Sequence, residues 1–149
     1  MPLTFADNRV THWSVQKIAV VGPGIVGMPM AAMLAHARIR EGSTEPATVT
    51  VIQRNSPTSG WKVGAINSGR SPIGGIEPDL DRVVAESVTA GLLSASHDYS
   101  TARDADVILI CTQTDKRGLA PDYGPLFEAL EGIAAELVRK PAANVPLVI

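Results

Sequence analysis

Five short apolar segments alternate along the chain with longer segments of helical periodicity. The apolar segments are rich in β-branched residues and cover residues 17–21, 48–52, 92–96, 107–111 and 145–149. Because they are apolar throughout instead of at every second position, we expect strands that are buried on both faces, as in a parallel sheet.

Apolar residues at three- and four-residue spacing predict helices over residues 25–40, 78–91 and 123–139, with one or two helical turns over 61–66. The side chains expected to face the core are Ile25, Met28, Ala32, Met33 and Ala37 in the first helix, Leu80, Val83, Val84, Ser87 and Val88 in the second, and Leu126, Phe127, Leu130, Ile133, Ala134, Leu137 and Val138 in the third. Strands that alternate with helices indicate an α/β fold with a doubly wound parallel sheet covered on both faces.

Length and composition limit the fold to one domain and exclude several classes of function. The chain has 149 residues, of which 45% are hydrophobic, and its net charge is −2. We expect a polar arm over residues 1–16 and a single domain over 17–149. The charge balance gives no basic patch for nucleic acid or an anionic membrane surface, and no segment reaches the roughly 18 apolar residues of a membrane span. The start of the chain has no signal-peptide pattern, and one cysteine fits a reducing cytoplasm.

The motif that carries chemistry lies between the first strand and the first helix. Gly22-Pro23-Gly24-Ile25-Val26-Gly27 is a G-x-G-x-x-G sequence in the strand–turn–helix context that dinucleotide binding needs. The first glycine permits a tight turn, the second allows the backbone to approach a pyrophosphate, and the third lets the helix lie close to the sheet. The helix N-terminus adds unpaired N–H groups and a partial positive charge. The sequence therefore predicts a Rossmann-type domain whose cofactor contacts include Gly22, Gly24, Ile25, Val26 and Gly27.

The residue after the second strand bears on the choice of cofactor. An acidic residue usually stands there and accepts the ribose hydroxyls of NAD. This chain has Gln53, which can still bond a 2′-hydroxyl but does not repel a 2′-phosphate, and Arg54 beside it could attract one. We predict that both residues bind the cofactor, favour NAD, and leave NADP open.

Further segments occur in an order that resembles the UDP-glucose/GDP-mannose dehydrogenase family. They are residues 66–73 (INSGRSPI), 77–80 (EPDL), 91–98 (GLLSASHD), 105–110 (ADVILI), 112–114 (TQT) and 121–123 (PDY). With the glycine loop, the similarity extends over most of residues 17–149. The whole set is more specific than any single member.

The resemblance implies an enzyme of nucleotide-sugar metabolism and polysaccharide biosynthesis. Such enzymes oxidise the sugar C6 alcohol to a carboxylate with two NAD, through a thiohemiacetal and a thioester on a cysteine. The substrate implied is a UDP-sugar of the UDP-glucose or UDP-N-acetylhexosamine type. By position, Ser96, Thr112 and Thr114 would lie against the cofactor, although Ser96 and Thr114 could instead cap turns. Asn67, Gly69, Pro72 and Glu77 would shape the loop over the cofactor cleft.

Several features depart from the family pattern. Asp115 replaces the proline after the second threonine, and the segments 40–47 and 54–61 are longer than usual. The nucleophilic cysteine of the family, with its lysine and asparagine, belongs to a region that this sequence does not contain. We interpret Cys111 as a core thiol because it ends a buried strand. We therefore assign no catalytic residue and no metal ligand, and we expect this chain by itself to bind cofactor without catalysing the reaction.

Two other functions remain open at this stage. One is a free-standing NAD(P)-binding regulatory module, and the other is the cofactor domain of a 6-phosphogluconate or hydroxyacyl-CoA type of dehydrogenase. The segments that begin at Asn67 and Glu77 argue against the latter. The family commonly pairs through a part of the enzyme that is not in this sequence, so the resemblance allows a homodimer of the whole enzyme and leaves the oligomeric state of this chain open.

Overall fold

The fold is given by a computed structural model that describes residues 2–4, 10–12, 14–74, 78–140 and 145–149. Its strands are β1 (Pro2–Thr4), β2 (Val10–His12), β3 (Lys17–Val21), β4 (Thr48–Ile52), β5 (Leu93–Ser96), β6 (Val107–Ile110), β7 (Asp115–Arg117), β8 (Ala120–Asp122) and β9 (Leu147–Val148). Its helices are α1 (Gly27–His36), α2 (Trp61–Asn67), α3 (Leu80–Thr89) and α4 (Gly124–Leu137), with a 3₁₀ turn at Tyr99–Ala102.

The central sheet is parallel and has the order β5-β4-β3-β6-β9. The first strand of this sheet in chain order, β3, lies in its middle. The chain then moves outward to β4 and β5 and returns to the other side of β3 with β6. Val21, the last residue of β3, pairs with Ile52 on one side and Ile110 on the other. The strand order therefore reverses beside β3, and ligands of open α/β sheets bind at the carboxyl ends of the strands at such a point.

Successive side chains of β3 enter two different core clusters. Ile18 and Val20 pack with buried residues of α1, α2 and α3, whereas Ala19 and Val21 pack with Ala129 of α4 and its neighbours. Since neighbouring side chains of a strand point to opposite faces, both faces of the sheet are covered. The predicted doubly wound parallel fold is confirmed.

The first helix is shorter than predicted and buries a different stripe. It covers Gly27–His36 instead of residues 25–40. Met28, Ala31, Ala32 and Ala35 are buried, whereas Ile25, Met33 and Ala37 are exposed. Ile25 and Ala37 lie outside the helix, and Met33 is exposed because the helix packs through small alanines, spaced three and four apart, that let it lie close to the sheet, so the prediction for these three side chains was wrong.

The prediction for the inward face of α4 was also partly wrong. Ala129 and Ile133 are buried against the sheet, but Phe127, Leu130, Ala134 and Val138 are exposed. Apolar residues occur on more than one side of this helix, so sequence spacing alone does not show which side meets the sheet. The strand boundaries agree with the predictions within a few residues, and α2 and α3 form where helical turns were expected.

Two short antiparallel ladders were not predicted. One pairs β1 with β2, within the segment expected to be a polar arm, and the other pairs β7 with β8 across a turn at Gly118, whose φ is 66°. Three-residue strands are too short to give a reliable periodic signal. Glu77, which was expected to shape the cofactor loop, lies outside the described residues. Within the described ranges, no helix has the length and apolarity needed to cross a membrane.

Candidate cofactor site

The turn after β3 requires glycine at its first position. Gly22 has a φ of 94°, and its N–H donates to the carbonyl of Ile52, 2.9 Å away. A Cβ at this position would lie 2.8 Å from the carbonyl oxygen of Cys111. Both the backbone conformation and the neighbouring strand therefore exclude a side chain here.

The last glycine of the motif sets the distance between α1 and the turn. A Cβ on Gly27 would lie 2.0 Å from the carbonyl oxygen of Gly22 and 2.9 Å from the Cβ of Cys111. No rotamer change relieves a clash with backbone, so glycine at this position is a requirement of the fold itself.

The middle glycine has no such structural reason. Gly24 does not have a positive φ, and the nearest atom to a Cβ built on it is the Cγ of Gln113 at 3.9 Å. The space beside it opens into a cleft that is lined by both residues. Neither the backbone nor the packing of the described residues needs glycine here, whereas a ligand that approaches the backbone closely would need it.

The N-terminus of α1 presents backbone donors beside this space. Among the described residues, the N–H groups of Ile25, Val26 and Gly27 have no hydrogen-bond partner, and the first turn of α1 contains no acidic residue. The side chains of Ile25 and Val26 are 69% and 59% exposed. Unpaired N–H groups and the positive end of the helix dipole make this a site for an anion such as a pyrophosphate.

The cleft lies at the carboxyl ends of β3, β4 and β6, where the strand order reverses. Its lining brings together Gly22, Gly24, Gln53, Arg54 and Thr112 of the predicted cofactor residues, together with Thr58, Ser59, Lys62, Tyr99, Pro125 and Glu128, which the sequence analysis did not single out. A second cleft shares Gly24, Lys62 and Gln113 with the first and is bounded by Ile25, Pro29 and Ile73. The two clefts thus meet at the glycine turn, as an extended dinucleotide with its pyrophosphate at the turn requires.

Gln53 and Arg54 are both held by neighbouring groups. The Nε2 of Gln53 donates to the Arg54 carbonyl at 3.2 Å and to Ser59 Oγ at 3.0 Å. The backbone carbonyl oxygen of Gln53 lies 2.8 Å from Nδ1 of His97. The Nη1 of Arg54 lies 2.5 Å from Oε2 of Glu128 on α4. The hydrogen bonds of the Gln53 side chain to described residues use its nitrogen, and its Oε1 can therefore accept a hydrogen bond from a ribose hydroxyl.

Lys62 is a cation of the cleft that the sequence analysis missed. It lies on α2, and its Nζ donates to the carbonyl of Pro23 in the glycine turn at 3.2 Å. The two residues are 39 positions apart, so no local pattern indicates the contact. A lysine beside the turn adds a full positive charge to the partial charge of the helix N-terminus.

The three predicted hydroxyl contacts differ in their positions. Thr112 lines the cleft, and its buried Oγ1 has no hydrogen-bond partner among the described residues. Thr114 is exposed and is not among the described residues that line either cleft. The Oγ of Ser96 accepts a hydrogen bond from the N–H of Asp98 at 3.0 Å, which is the turn-capping alternative considered for this residue. Thr112 therefore has the most direct support, because a buried hydroxyl without a partner is costly.

Cys111 follows β6 and lies beneath the glycine turn. Its side chain is partly buried, and burial raises the pKa of the thiol. The thiolate is the nucleophilic form of cysteine, so a raised pKa disfavours a catalytic role. No cluster of potential metal ligands occurs in the described part of the chain.

Asn67, at the end of α2, fixes the helix to the edge of the sheet. Its Nδ2 donates to the carbonyl of Ala95 at 2.9 Å, and its Oδ1 accepts from the N–H of Ala95 at 2.7 Å. This reciprocal pair replaces the bonds that a further strand would make with β5. Since α2 also carries Lys62, the contact helps to place the lysine at the cleft.

The fold and the glycine turn define a dinucleotide-binding domain of the Rossmann type. Residues 16–145 match the model of the UDP-glucose/GDP-mannose dehydrogenase family, NAD binding domain. The chain belongs to this family, and the resemblance drawn from its sequence is confirmed. The described residues fit NAD, since they offer an open backbone approach at Gly24 and an unpartnered hydroxyl at Thr112.

Named relatives support the same assignment. The chain is 33% identical over 114 residues to UDP-glucose 6-dehydrogenase of Caenorhabditis elegans, and the aligned region covers 72% of this chain and 21% of the relative. It is 30% identical over 123 residues to UDP-N-acetyl-D-mannosamine dehydrogenase of Pyrococcus horikoshii, and the aligned region covers 83% of this chain and 26% of the relative. The solved structure of NDP-N-acetyl-D-galactosaminuronic acid dehydrogenase from Methanosarcina mazei superposes with a TM-score of 0.73 at 31% identity, over 83% of this chain and 25% of that one. The chain therefore spans about a quarter of the length of these relatives.

Proposed function

We propose that this chain is the cofactor-binding part of an NAD-dependent nucleotide-sugar dehydrogenase. The observation that carries the proposal is the cleft beside Gly24, where neither the backbone nor the packing of the described residues needs a glycine. That space adjoins the unpaired N–H groups of Ile25, Val26 and Gly27, so a pyrophosphate in it would meet backbone donors.

Each part of the cleft has a distinct role in this proposal. Bound NAD supplies the acceptor for a hydride from the sugar alcohol. The glycine turn and Lys62 bind the pyrophosphate, Gln53 and Arg54 bind the adenosine ribose, and Thr112 orients the nicotinamide end beside β6. We retain Ser96 and Thr114 as proposed contacts, although Ser96 also caps a turn.

The substrate proposed for the whole protein is a UDP-sugar of the UDP-glucose or UDP-N-acetylhexosamine type. The names of the relatives support the class, because they include dehydrogenases of UDP-glucose and UDP-N-acetyl-D-mannosamine. The reaction would oxidise the C6 alcohol to a carboxylate and reduce two NAD. Cys111 is partly buried and burial raises its pKa, which disfavours it as the nucleophile, and we propose that the nucleophile comes from residues outside 1–149.

The arrangement and location of the protein also remain proposals. We propose an arm over residues 1–16, a domain over 17–149, and a homodimer formed through parts of the enzyme outside this chain. A cytoplasmic location is supported by the single cysteine, since a reducing compartment does not favour disulfides. The near-neutral charge argues against nucleic acid or an anionic membrane surface as the partner, and the names of the relatives support a nucleotide sugar.

Two measurements test these proposals separately. Calorimetric titration of the purified 149-residue chain with NAD tests cofactor binding, and absence of binding would overturn it. Assay of the product of the complete reading frame with NAD and a panel of UDP-sugars tests the enzyme proposal. We expect two NADH for each sugar oxidised, whereas NAD binding without oxidation of any nucleotide sugar would favour the regulatory module.

A further inference from the structure

We propose that the ion pair between Arg54 and Glu128 sets the preference of this cleft between NAD and NADP. The pair would take the place of the carboxylate that usually follows the second strand of a Rossmann sheet. This inference rests on the proposed binding of a nicotinamide dinucleotide in the cleft, and it adds a determinant of specificity to that function.

The usual determinant is missing from this chain. The residue after β4 is Gln53, which is neutral and therefore does not repel a 2′-phosphate. Its amide nitrogen is bonded to the Arg54 carbonyl and to Ser59, and its oxygen can accept from a ribose hydroxyl. Gln53 can thus bind the ribose of either cofactor, and discrimination must come from another group.

The next residue would by itself favour NADP. Arg54 lines the cleft, and an arginine near the end of this strand accommodates the 2′-phosphate in NADP-binding proteins. Glu128 lines the same cleft from α4, and its Oε2 lies 2.5 Å from Nη1 of Arg54. The carboxylate neutralises the arginine and also places a negative charge where a 2′-phosphate would have to bind.

The pair is accessible enough to respond to ligand. The side chains of Arg54 and Glu128 are 45% and 52% exposed, so solvent screens their attraction and the contact can open at modest cost. Nη1 of Arg54 is the nitrogen that makes the contact. The preference for NAD would therefore be moderate, and removal of one charge would be enough to change it.

The other titratable groups of the cleft do not substitute for Glu128. Lys62 contacts Pro23 in the glycine turn, where it meets the pyrophosphate that both cofactors share. Burial and the nearby Glu128 raise the pKa of Tyr99, so its phenol stays neutral near pH 7. Among the described residues that line the cleft, Glu128 is the carboxylate that can oppose a 2′-phosphate.

The test compares the dissociation constants of NAD and NADP for the 149-residue chain by calorimetry. We expect Glu128→Gln to shift the ratio of the two constants toward NADP by about twofold to fivefold, the effect of removing one exposed charge interaction. Arg54→Ala in the Glu128→Gln background is expected to reduce that shift, because it removes the guanidinium that binds the phosphate and leaves only the relief of repulsion from Glu128.

The matched control is Glu131→Gln, which removes the same charge from an exposed position of α4 that is not among the residues lining the cleft. We expect it to leave the ratio unchanged, and thermal unfolding checks that each variant is folded. An unchanged ratio in Glu128→Gln, an equal shift in Glu131→Gln, or a shift of undiminished size in the double variant would each overturn the inference while NAD binding stands. Failure of the unmodified chain to bind NAD would overturn the proposed function, and this inference with it.

Discussion

The substitution of Gly24 by alanine or valine separates a ligand-binding role of this glycine from a structural one. A Cβ at this position meets no described atom closer than Gln113 Cγ at 3.9 Å, and the backbone does not have a positive φ. The folded chain should therefore accept Gly24→Ala with a change in the free energy of unfolding of less than about 1 kcal/mol, because a compatible glycine-to-alanine change is neutral or slightly stabilising.

The effect on cofactor binding should be much larger. The added carbon occupies the space that a pyrophosphate needs in order to reach the backbone donors of α1. Forcing extra carbon atoms into a close contact costs about 1–3 kcal/mol, which corresponds to a loss of NAD affinity of roughly fivefold to 150-fold. We expect Gly24→Val to fall at the upper end of this range because it adds two further methyl groups.

Two other glycines provide the comparison. Gly64→Ala on α2 meets no atom within 4 Å and should raise stability by about 1 kcal/mol without affecting NAD binding. Gly27→Ala brings a Cβ to 2.0 Å from the carbonyl of Gly22 and should destabilise the fold by about 3 kcal/mol or more. Urea unfolding and calorimetric titration measure both quantities. The reasoning is refuted if Gly24→Val binds NAD as tightly as the unmodified chain, or if Gly24→Ala unfolds as readily as Gly27→Ala.

Three further predictions concern the surroundings of the cleft. Lys62→Met should lower NAD affinity about fivefold to tenfold and make that affinity less dependent on salt, because one charged contact to the ligand is lost. Calorimetry at two salt concentrations measures both effects, and an unchanged affinity would show that the lysine does not reach the cofactor. Asn67→Ala removes both hydrogen bonds to Ala95 and should cost about 1–2 kcal/mol in urea unfolding, whereas no loss of stability would mean that water replaces them fully. The raised pKa of Cys111 leaves less thiolate at pH 8 than in free cysteine, so iodoacetamide should label it more slowly, and labelling as fast as free cysteine in mass spectrometry would contradict this.

The strands and the glycine turn could be predicted because their signals are local. The boundaries of β3 and β4 agree with the β-branched segments of the sequence, since strands that are largely buried in a parallel sheet are rich in such residues. The motif around Gly24 could likewise be predicted, because the glycines that the turn needs lie within a few residues of each other. The ordered motifs beyond the turn were enough to indicate the family.

The face of each helix that packs against the sheet was less predictable. Phe127 and Leu130 satisfy the spacing of a buried stripe but are exposed, because α4 packs through Ala129 and Ile133. Small side chains such as Ala129 let the helix lie closer to the sheet. A pattern based on hydrophobicity alone does not favour a small apolar residue over a large one. The same reason left Met33 of α1 outside the core of the described residues, whereas Ile25 precedes that helix.

The sequence by itself determined the class of fold, the phosphate-binding turn and the absence of the usual acidic residue at Gln53. Only the tertiary structure brought Lys62 to the carbonyl of Pro23 across 39 positions and Glu128 to Arg54 across 74. Both contacts arise because a parallel sheet gathers the carboxyl ends of distant strands, and the helices beside them, at one edge. The charges that surround a cofactor are therefore set by the winding of the chain and not by any local pattern.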